Sequence, residues 1–508
     1  MASLRVPDVQ ELSIGVHHFL GMSETKTPAP DAPKIPAQKS GMRAALEFTG
    51  IPPSWLDKRP KLPSRNWMIF LSVTSTVAGY YIYDRRQCSQ IRQSYVDRVK
   101  HLADEPIHSL DVSRKVTVYG AKWPGDEDHD RAVKYFRKYV KPILVAAAVD
   151  FEMIVGKRHG DIADKVEEEI KTQRRIAVGL EPPPPVMPAL AKYQPLDVLY
   201  RKKLEGGTII IGRPTFKEFM AGTKRGWTEG LEKVDKEEAL ARVLESDHHF
   251  DEPEEPEMAT HVDDGEPIPT PSKLPSSNGL YSPLQLKRPP PPAPRQTIPT
   301  EKNTPPTVLP EMPPILFVPF TNLIGFTRMP LMMWEFFNQR HKVQSGSEAA
   351  YRLVMKQTRP IIPPSISSVD STPSEFTSPE GETTKSEVVR GGDLDFDIEA
   401  EKYFKSSLSE TVAEIEKYRA KYYKELPAKL ETARALARGT REPTKEEAAH
   451  PPPTEVELRA ERMKKELRWR GDAAGWELVR REAGVAWDDR FAPVMRVFDD
   501  SIPESTFN

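Results

Sequence analysis

The sequence predicts an α/β domain carried on a single N-terminal transmembrane helix, with extra C-terminal helices and long disordered linkers. Three observations predict it. Residues 115–173 alternate strand, helix, strand, helix, the order of a βαβ unit with a parallel pair. Trp67 to Tyr83 holds seventeen residues without a charge. The 51 prolines, about twice the usual share, fall in clusters, and 38% hydrophobic against 29% charged residues fits one moderate core joined by polar connectors.

The uncharged stretch, WMIFLSVTSTVAGYYIY, is stopped by Arg65 on one side and Asp84-Arg85-Arg86 on the other. As a helix it is about 26 Å long, at the lower limit for a hydrocarbon core of about 30 Å. Its apolar positions are Trp67, Met68, Ile69, Phe70, Leu71, Val73, Val77, Ala78, Gly79, Tyr80, Tyr81, Ile82 and Tyr83. Trp67 at one end and the tyrosines at the other match an interfacial aromatic belt, which favours a span over the other reading, a buried helix of a soluble domain. Ser72, Ser75, Thr76 and Gly79 are small or hydroxylated and suit close helix–helix contact in lipid. Basic residues bracket both ends, Lys58, Arg59, Lys61 and Arg65 before and Arg85, Arg86, Arg92, Arg98 and Lys100 after, so charge counting leaves the orientation open. The first fifteen residues have neither a signal peptide's apolar core nor a presequence's Arg-rich, acid-poor pattern.

Residues 1–66 read as a disordered, Pro-rich segment leading into the span at 67–83. Residues 84–103 continue it as a polar helix in which Ile91, Tyr95, Val99 and Leu102 form one apolar stripe, a candidate partner face. Strands are expected at Lys115–Tyr119, Val149–Val155 and Thr208–Ile211. Helices are expected at Asp130–Ala148, kinked at Pro142, at Asp161–Gln173, at Thr215–Thr223 with a cap near Gly222, and at Glu229–Glu245. Residues 84–246 thus hold the membrane-proximal helix and the first part of the α/β domain. Residues 247–314 read as a linker: nine acids fall between Asp247 and Glu266, no Lys or Arg lies between Arg242 and Lys273, and a polyproline run follows.

Residues 315–360 return to the domain with a strand at Ile315–Pro319 and an aromatic, Met-rich helix at Leu331–His341. Such a run is usually core, the alternative being an exposed partner or membrane-surface face. Residues 361–392 are Ser/Thr/Pro-rich. Residues 393–508 read as helices docking on the domain: Glu399–Leu426, Lys429–Arg438 closed by Gly439, and one opened by a Thr454–Glu457 capping box and ending near Trp469. Trp476, Trp487 and Phe491 are expected to dock.

No residue pattern carries chemistry. Gly206-Gly207-Thr208 precedes its strand, whereas phosphate loops follow the strand and open a helix. His17-His18 and His248-His249 lack metal-ligand spacing. Asp393, Asp395 and Asp397 lack the rest of a calcium loop. The acids of Asp126–Asp130 sit where an α/β active site would lie but also complement a helix N-terminus. The single cysteine, Cys88, excludes an internal disulfide framework; it reads as a free thiol, with an intermolecular bridge as the alternative. A net charge of −2 provides no field for nucleic acid. No catalytic, cofactor or metal site is predicted.

The blocks PSRNWMIFLSVTSTVAGYYIYDRR, GTIIIGRPTFKEFMAGTKRGW (Gly207–Trp227), GFTRMP…FFNQR (Gly325–Arg340) and LARGTREPTKEE…PPPTEVELRAERMKKELRWR (Leu436–Arg470) resemble the large single-span subunit of the fungal mitochondrial inner-membrane carrier translocase. The resemblance implies a matrix-side N-terminus and a large domain in the intermembrane space. It implies a non-catalytic structural and docking role in inserting multi-spanning carrier proteins. The partners it implies are a channel-forming subunit and other subunits, small intermembrane-space chaperone complexes, carrier precursors in transit and inner-membrane lipid. Val140–Ile170 is similar to the first domain of diacylglycerol-kinase-like lipid kinases, which implies a lipid-kinase-like fold. That family's Asn-Pro and GGDGT loop have no counterpart, so the alternative function, a membrane-tethered lipid or nucleotide kinase, lacks its phosphate-binding machinery.

Overall fold

Six strands form one sheet in the order β2-β1-β3-β4-β6-β5, and the chain's helices cover both of its faces. The computed structural model describes residues 64–106, 113–182, 196–251 except 234, 298–364, 391–405 and 411–499 except 446, 448 and 449. Of the segment expected to be disordered at 1–66 and the linkers expected at 247–314 and 361–392, residues 1–63, 252–297 and 365–390 lie outside the described residues, as do His17 and His18. The linker expectation fails for 298–314, where Leu309 is buried and Pro314 O accepts from the Thr208 amide of the sheet. The chain divides into two compact units, Met1–Ser75 and Thr76–Asn508. Of the first unit, the described part is the opening turns of α1 (Arg65–Ala103).

α1 joins the uncharged stretch and the polar continuation in a single 39-residue helix, as the pattern predicts. Hydropathy departs from expectation. Among the described residues, no helix is long and apolar enough to cross a membrane. The physical reason is local: four hydroxyl residues in the run, Ser72, Thr74, Ser75 and Thr76, dilute its apolar content.

The second unit begins with β1 (Lys115–Gly120), α2 (Arg131–Tyr139) and α3 (Lys141–Ala146). Pro142 opens α3, so the expected kink is a full break between two helices. β2 (Asp150–Val155) pairs in parallel with β1 from Lys115↔Asp150 to Gly120↔Val155. α4 (Asp161–Ala177) follows, then α5 (Leu196–Gly206), which hydrophobic periodicity did not reveal. β3 (Thr208–Ile211) lies parallel to β1 on its other side, with all four residues buried.

α6 (Gly212–Thr228) is twice as long as the sequence suggests, and Gly222 is not its cap. A Cβ at Gly222 would lie 2.4 Å from Ala163 O, and one at Gly226 2.8 Å from Ile170 Cβ. These glycines let α6 and α4 approach closely. α7 (Lys236–Glu245) starts at Asp235, whose carboxylate accepts from the amides of Glu237 and Glu238, rather than at Glu229.

β4 (Ile315–Val318) returns to the sheet parallel to β3, as expected. α8 (Met329–Phe337) and α9 (Arg340–Met355) follow. Two strands escape sequence reading, β5 (Thr358–Pro360) and β6 (Arg496–Phe498), each three residues long; β6 is parallel to β4 and antiparallel to β5. α10 (Val412–Arg438) runs through Pro427, where two helices were expected, and closes on Gly439 at φ 72°. α11 (Glu455–Val479) opens with the expected capping box and extends ten residues past Trp469.

Strand alternation divides the core. Val116, Val118, Ile209, Ile211, Leu316 and Val318 face one side, with α1, α2, α3 and α9. Ile210 and Ile315 face the other, with α6 and the C-terminal Trp487, Phe491 and Met495. The docking expected of the tail aromatics is thus observed for Trp487 and Phe491, while Trp476 lies edge-on to the His159 ring.

Candidate functional site

Two places could carry function: the carboxyl ends of the parallel strands, and the foot of the uncharged run on α1. In open α/β sheets, ligands bind outside the carboxyl ends of the strands where the strand order reverses. Here that point lies between β1 and β3, and the chain's own side chains fill it. Trp123, just past β1, is buried edge-on against Phe320 (5.5 Å) and Phe404 (5.1 Å). Thr215, in the first turn of α6, accepts from the Ala121 amide at 2.9 Å and donates to Ile211 O at 2.6 Å. Gly125 has φ 84°, and a Cβ there would lie 2.4 Å from Lys405 O, so residues 391–405 close directly over the first βα loop.

Charge in this crevice is paired internally. Arg213 and Lys217 on α6 both bind the buried Glu401 carboxylate at 2.8 Å. Arg213 also donates to Leu394 O and, at 3.0 Å, to Phe396 O. Lys217 donates to Arg480 O at 2.9 Å, and burial lowers its ammonium to a pKa of about 8. Asp397 accepts from the Phe320 amide at 3.0 Å, and burial raises it to about 7. Asp393 binds Arg359 at 2.6 Å and accepts from the Ile362 amide. Asp393 and Asp397 therefore tie two segments to the sheet, and the acids also stand where the sequence expected them, at helix starts: Asp393 and Asp395 in the first turn of a 3-10 helix at Gly392–Asp395, and Asp397 directly before a second at Ile398–Tyr403.

The other candidates resolve similarly. Asp126 and Asp128 pair with Arg131, and Asp130 pairs with Lys134, consistent with charge complementarity at the start of α2. Gly206 and Gly207 form a turn into β3, as expected. A Cβ at Gly206 would lie 1.9 Å from Lys115 O, and one at Gly207 2.7 Å from the Phe498 ring. His248 pairs with Asp251, and His249 faces Tyr423. No group of metal ligands occurs among the described residues.

The second place is open. Trp67 to Val73, Val77, Tyr80, Ile82 and Tyr83 are exposed. Ser72 donates to Ile69 O at 2.9 Å, and Thr74 to Phe70 O at 2.9 Å, which satisfies these hydroxyls within the helix. Gly79 faces open space.

At the foot of the run, Asp84 is buried and accepts from the amides of Gln339 (3.1 Å) and Arg340 (3.4 Å), so a carboxylate from α1 caps the N-terminus of α9. Tyr80 donates to Asn338 Oδ1. Tyr81 stacks on Phe336 at 5.5 Å, with the Arg85 guanidinium 4.7 Å from the Tyr81 ring. Cys88 is buried beside Asp84, and burial raises its thiol pKa, so the intermolecular bridge considered from sequence has no accessible sulfur.

Two expectations change here. The stripe Ile91, Tyr95, Val99 and Leu102 packs inward on the core beside α9, with Tyr95 against Tyr351, so it is not a free partner face. The aromatic helix expected in the core is α8, and none of its residues is buried; Trp334 is 67% exposed. Asp84, Asn338 and Gln339 were missed by sequence reading. The one available signal was an acid directly after an apolar run, which periodicity treats only as a stop.

The model of the family described as "Inner membrane protein import complex subunit Tim54" matches residues 44–418. The chain belongs to the Tim54 family. It is 35% identical over 474 residues to the mitochondrial import inner membrane translocase subunit TIM54 of Cryptococcus neoformans, covering 92% of this chain and 96% of that protein. The subunit of the same name from Candida albicans is 29% identical over 371 residues, 66% of this chain and 88% of the relative. That of Yarrowia lipolytica is 31% identical over 287 residues, 43% and 49% respectively. Membership makes the chain a subunit of the mitochondrial inner-membrane import machinery, and nothing in these relatives' names supports a kinase.

Proposed function

We propose that the chain is a non-catalytic, membrane-anchored structural subunit of the inner-membrane translocase that inserts multi-spanning carrier proteins. α1 crosses the bilayer once, its N-terminal side in the matrix, and the α/β domain stands in the intermembrane space. There it holds the channel-forming and other subunits and receives the small chaperone complexes with their carrier precursors. Family membership carries this reading. The closed crevice at the strand ends supports a role in binding, since Trp123 and the Arg213–Glu401–Lys217 cluster stand where a nucleotide would.

The anchor reading rests on the exposed seventeen-residue run. Its length of about 26 Å comes close to the roughly 27 Å of thinner bilayers. Ser72 and Thr74 carry less polar cost than hydropathy assigns them, because their hydroxyls bond to the helix's own carbonyls. Ser72, Ser75, Thr76 and Gly79 offer a surface on which a channel helix can approach closely.

The test compares the wild-type chain with Leu71→Lys/Val73→Lys in mitochondria. Wild type is expected to stay in the membrane pellet through alkaline carbonate and to migrate in a large complex after mild detergent. The double variant is expected to lose both properties. Carbonate release of the wild-type chain sinks the anchor, and its migration alone in mild detergent sinks the structural role.

A further inference from the structure

α8 leaves a row of apolar side chains uncovered. Met329, Leu331, Met332, Met333, Trp334 and Phe336 are exposed together on a helix without a buried residue. Phe326, in the turn before it, is 89% exposed. Scattered apolar residues on a surface need no account, but a contiguous aromatic and Met-rich patch marks an interaction surface.

Its position narrows the occupant. The C-terminal end of α8 is fixed to α1 at Tyr80, Tyr81, Asp84 and Arg85, where the uncharged run ends. Any bilayer crossed by that run has its headgroup layer at this level. The one acid on α8, Glu335, is neutralised by Lys342 at 2.6 Å. Basic groups gather beside it: Arg85, Arg92 and Lys342 lie near Lys138, which bonds to Gln339 Oε1 at 2.9 Å. Burial first, and then these neighbouring cations, lower the Lys138 pKa. Lys342 is taken up by Glu335 and Arg85 pairs with Asp84 at 3.9 Å, which leaves Arg92 and Lys138 as the basic pair beside α8. An apolar helix with Trp and Phe, flanked by basic side chains, has the composition of an element that lies in an anionic membrane surface.

We propose that α8 lies in the interfacial layer of the bilayer, and that Arg92 and Lys138 at its end hold the phosphate of an anionic phospholipid. This rests on the anchored reading of α1, because the bilayer must be at the foot of the run for α8 to meet it. α8 then acts as a second, shallow contact that fixes the domain's approach to the membrane.

The experiment uses the full chain with single nitroxide labels carried by Val73→Cys, Met333→Cys and Val456→Cys, leaving the buried Cys88 in place. The chain is reconstituted in phosphatidylcholine bilayers with or without a one-fifth share of phosphatidylglycerol. Accessibility to oxygen and to a water-soluble nickel chelate gives the depth of each label. The position-73 label is expected deep in lipid, the position-333 label at headgroup depth, and the position-456 label in water. Omitting phosphatidylglycerol, or introducing Arg92→Gln with Lys138→Gln, is expected to move the position-333 label toward water, with anionic-lipid association there falling about fivefold per cation removed.

A label in lipid at 73 and in water at 333 overturns the proposal and leaves the anchor standing. A position-333 label shielded from both reagents overturns it in favour of a protein partner or second copy. A position-333 label in lipid that ignores phosphatidylglycerol and the two substitutions overturns the headgroup site. Water at position 73 overturns the anchor and the proposal together.

Discussion

The carboxyl-end crevice of the sheet and the foot of α1 are opposites. At the crevice, where an α/β enzyme opens to its substrate, Trp123 is 1% exposed and two buried cations share one buried carboxylate. At the foot, where a soluble protein would cover its apolar helix, Trp334 is 67% exposed. Burial has been spent on closing the place where chemistry is usual. Exposure has been kept where the surroundings need not be water. The contrast teaches that this fold fills the crevice at its strand ends with its own side chains and keeps its apolar surface at the foot of α1.

The strongest way to break the contrast is Trp123→Ala. Removing a fully buried indole packed on Phe320 and Phe404 is expected to cost about 3–5 kcal/mol, read by denaturant unfolding, without opening a nucleotide site detectable as an ATP-dependent thermal shift. Asp84→Ala comes next. It leaves the Gln339 and Arg340 amides without their acceptor, at a cost of about 1–3 kcal/mol, and hydrogen exchange at these two amides is expected to accelerate. Unchanged exchange would show that α1 does not hold α9.

A pH series sharpens the crevice side. The Asp397 carboxyl titrates at about 7 in the fold, against about 3.9 in an unfolded chain. Between those values the folded state holds the extra proton, so stability is expected to fall as pH rises from about 4 to 7. Asp397→Asn keeps an acceptor for the Phe320 amide and is expected to shallow that fall. Glu218, buried and raised to about 8, contributes a decline of the same sign, so the informative quantity is the difference between variant and wild type. The smallest effect is expected for Trp334→Ala, within about 0.5 kcal/mol of wild type, because no packing is lost. A large destabilisation there would mean that α8 is part of the core.

Legibility in the sequence followed the strength of local signals. β1, β2, β3 and β4 were readable because short apolar runs between turn residues have few alternatives; their register, set by partners across the sheet, was not. The Thr454 capping box and the Gly439 terminus were readable because capping is local chemistry. β5 and β6 were not: three residues carry no periodicity, and their pairing is set by partners more than a hundred positions away. α10 passing through Pro427 and α6 continuing past Gly222 are cases where tertiary packing overrides a local breaker. At the foot of α1 the residue types were visible, but which face each presented was not. Ile91 to Leu102 turned inward and Met329 to Phe337 outward, because periodicity reports that a face is apolar and says nothing about what covers it.

β6 has a consequence for the order of events in folding. Although Arg496–Phe498 come last among the strands in sequence, they sit between β4 and β5. β5 has no partner in the sheet until residues 496–498 arrive, and Gly207 was shaped around a ring, that of Phe498, which is delivered some 290 positions later. Such long-range closure slows folding. It also makes the sheet a checkpoint: while the chain is still emerging from a ribosome or a membrane pore, the edge of β4 stays unpaired, and the domain stays recognisable as unfinished to any chaperone that binds open strand edges.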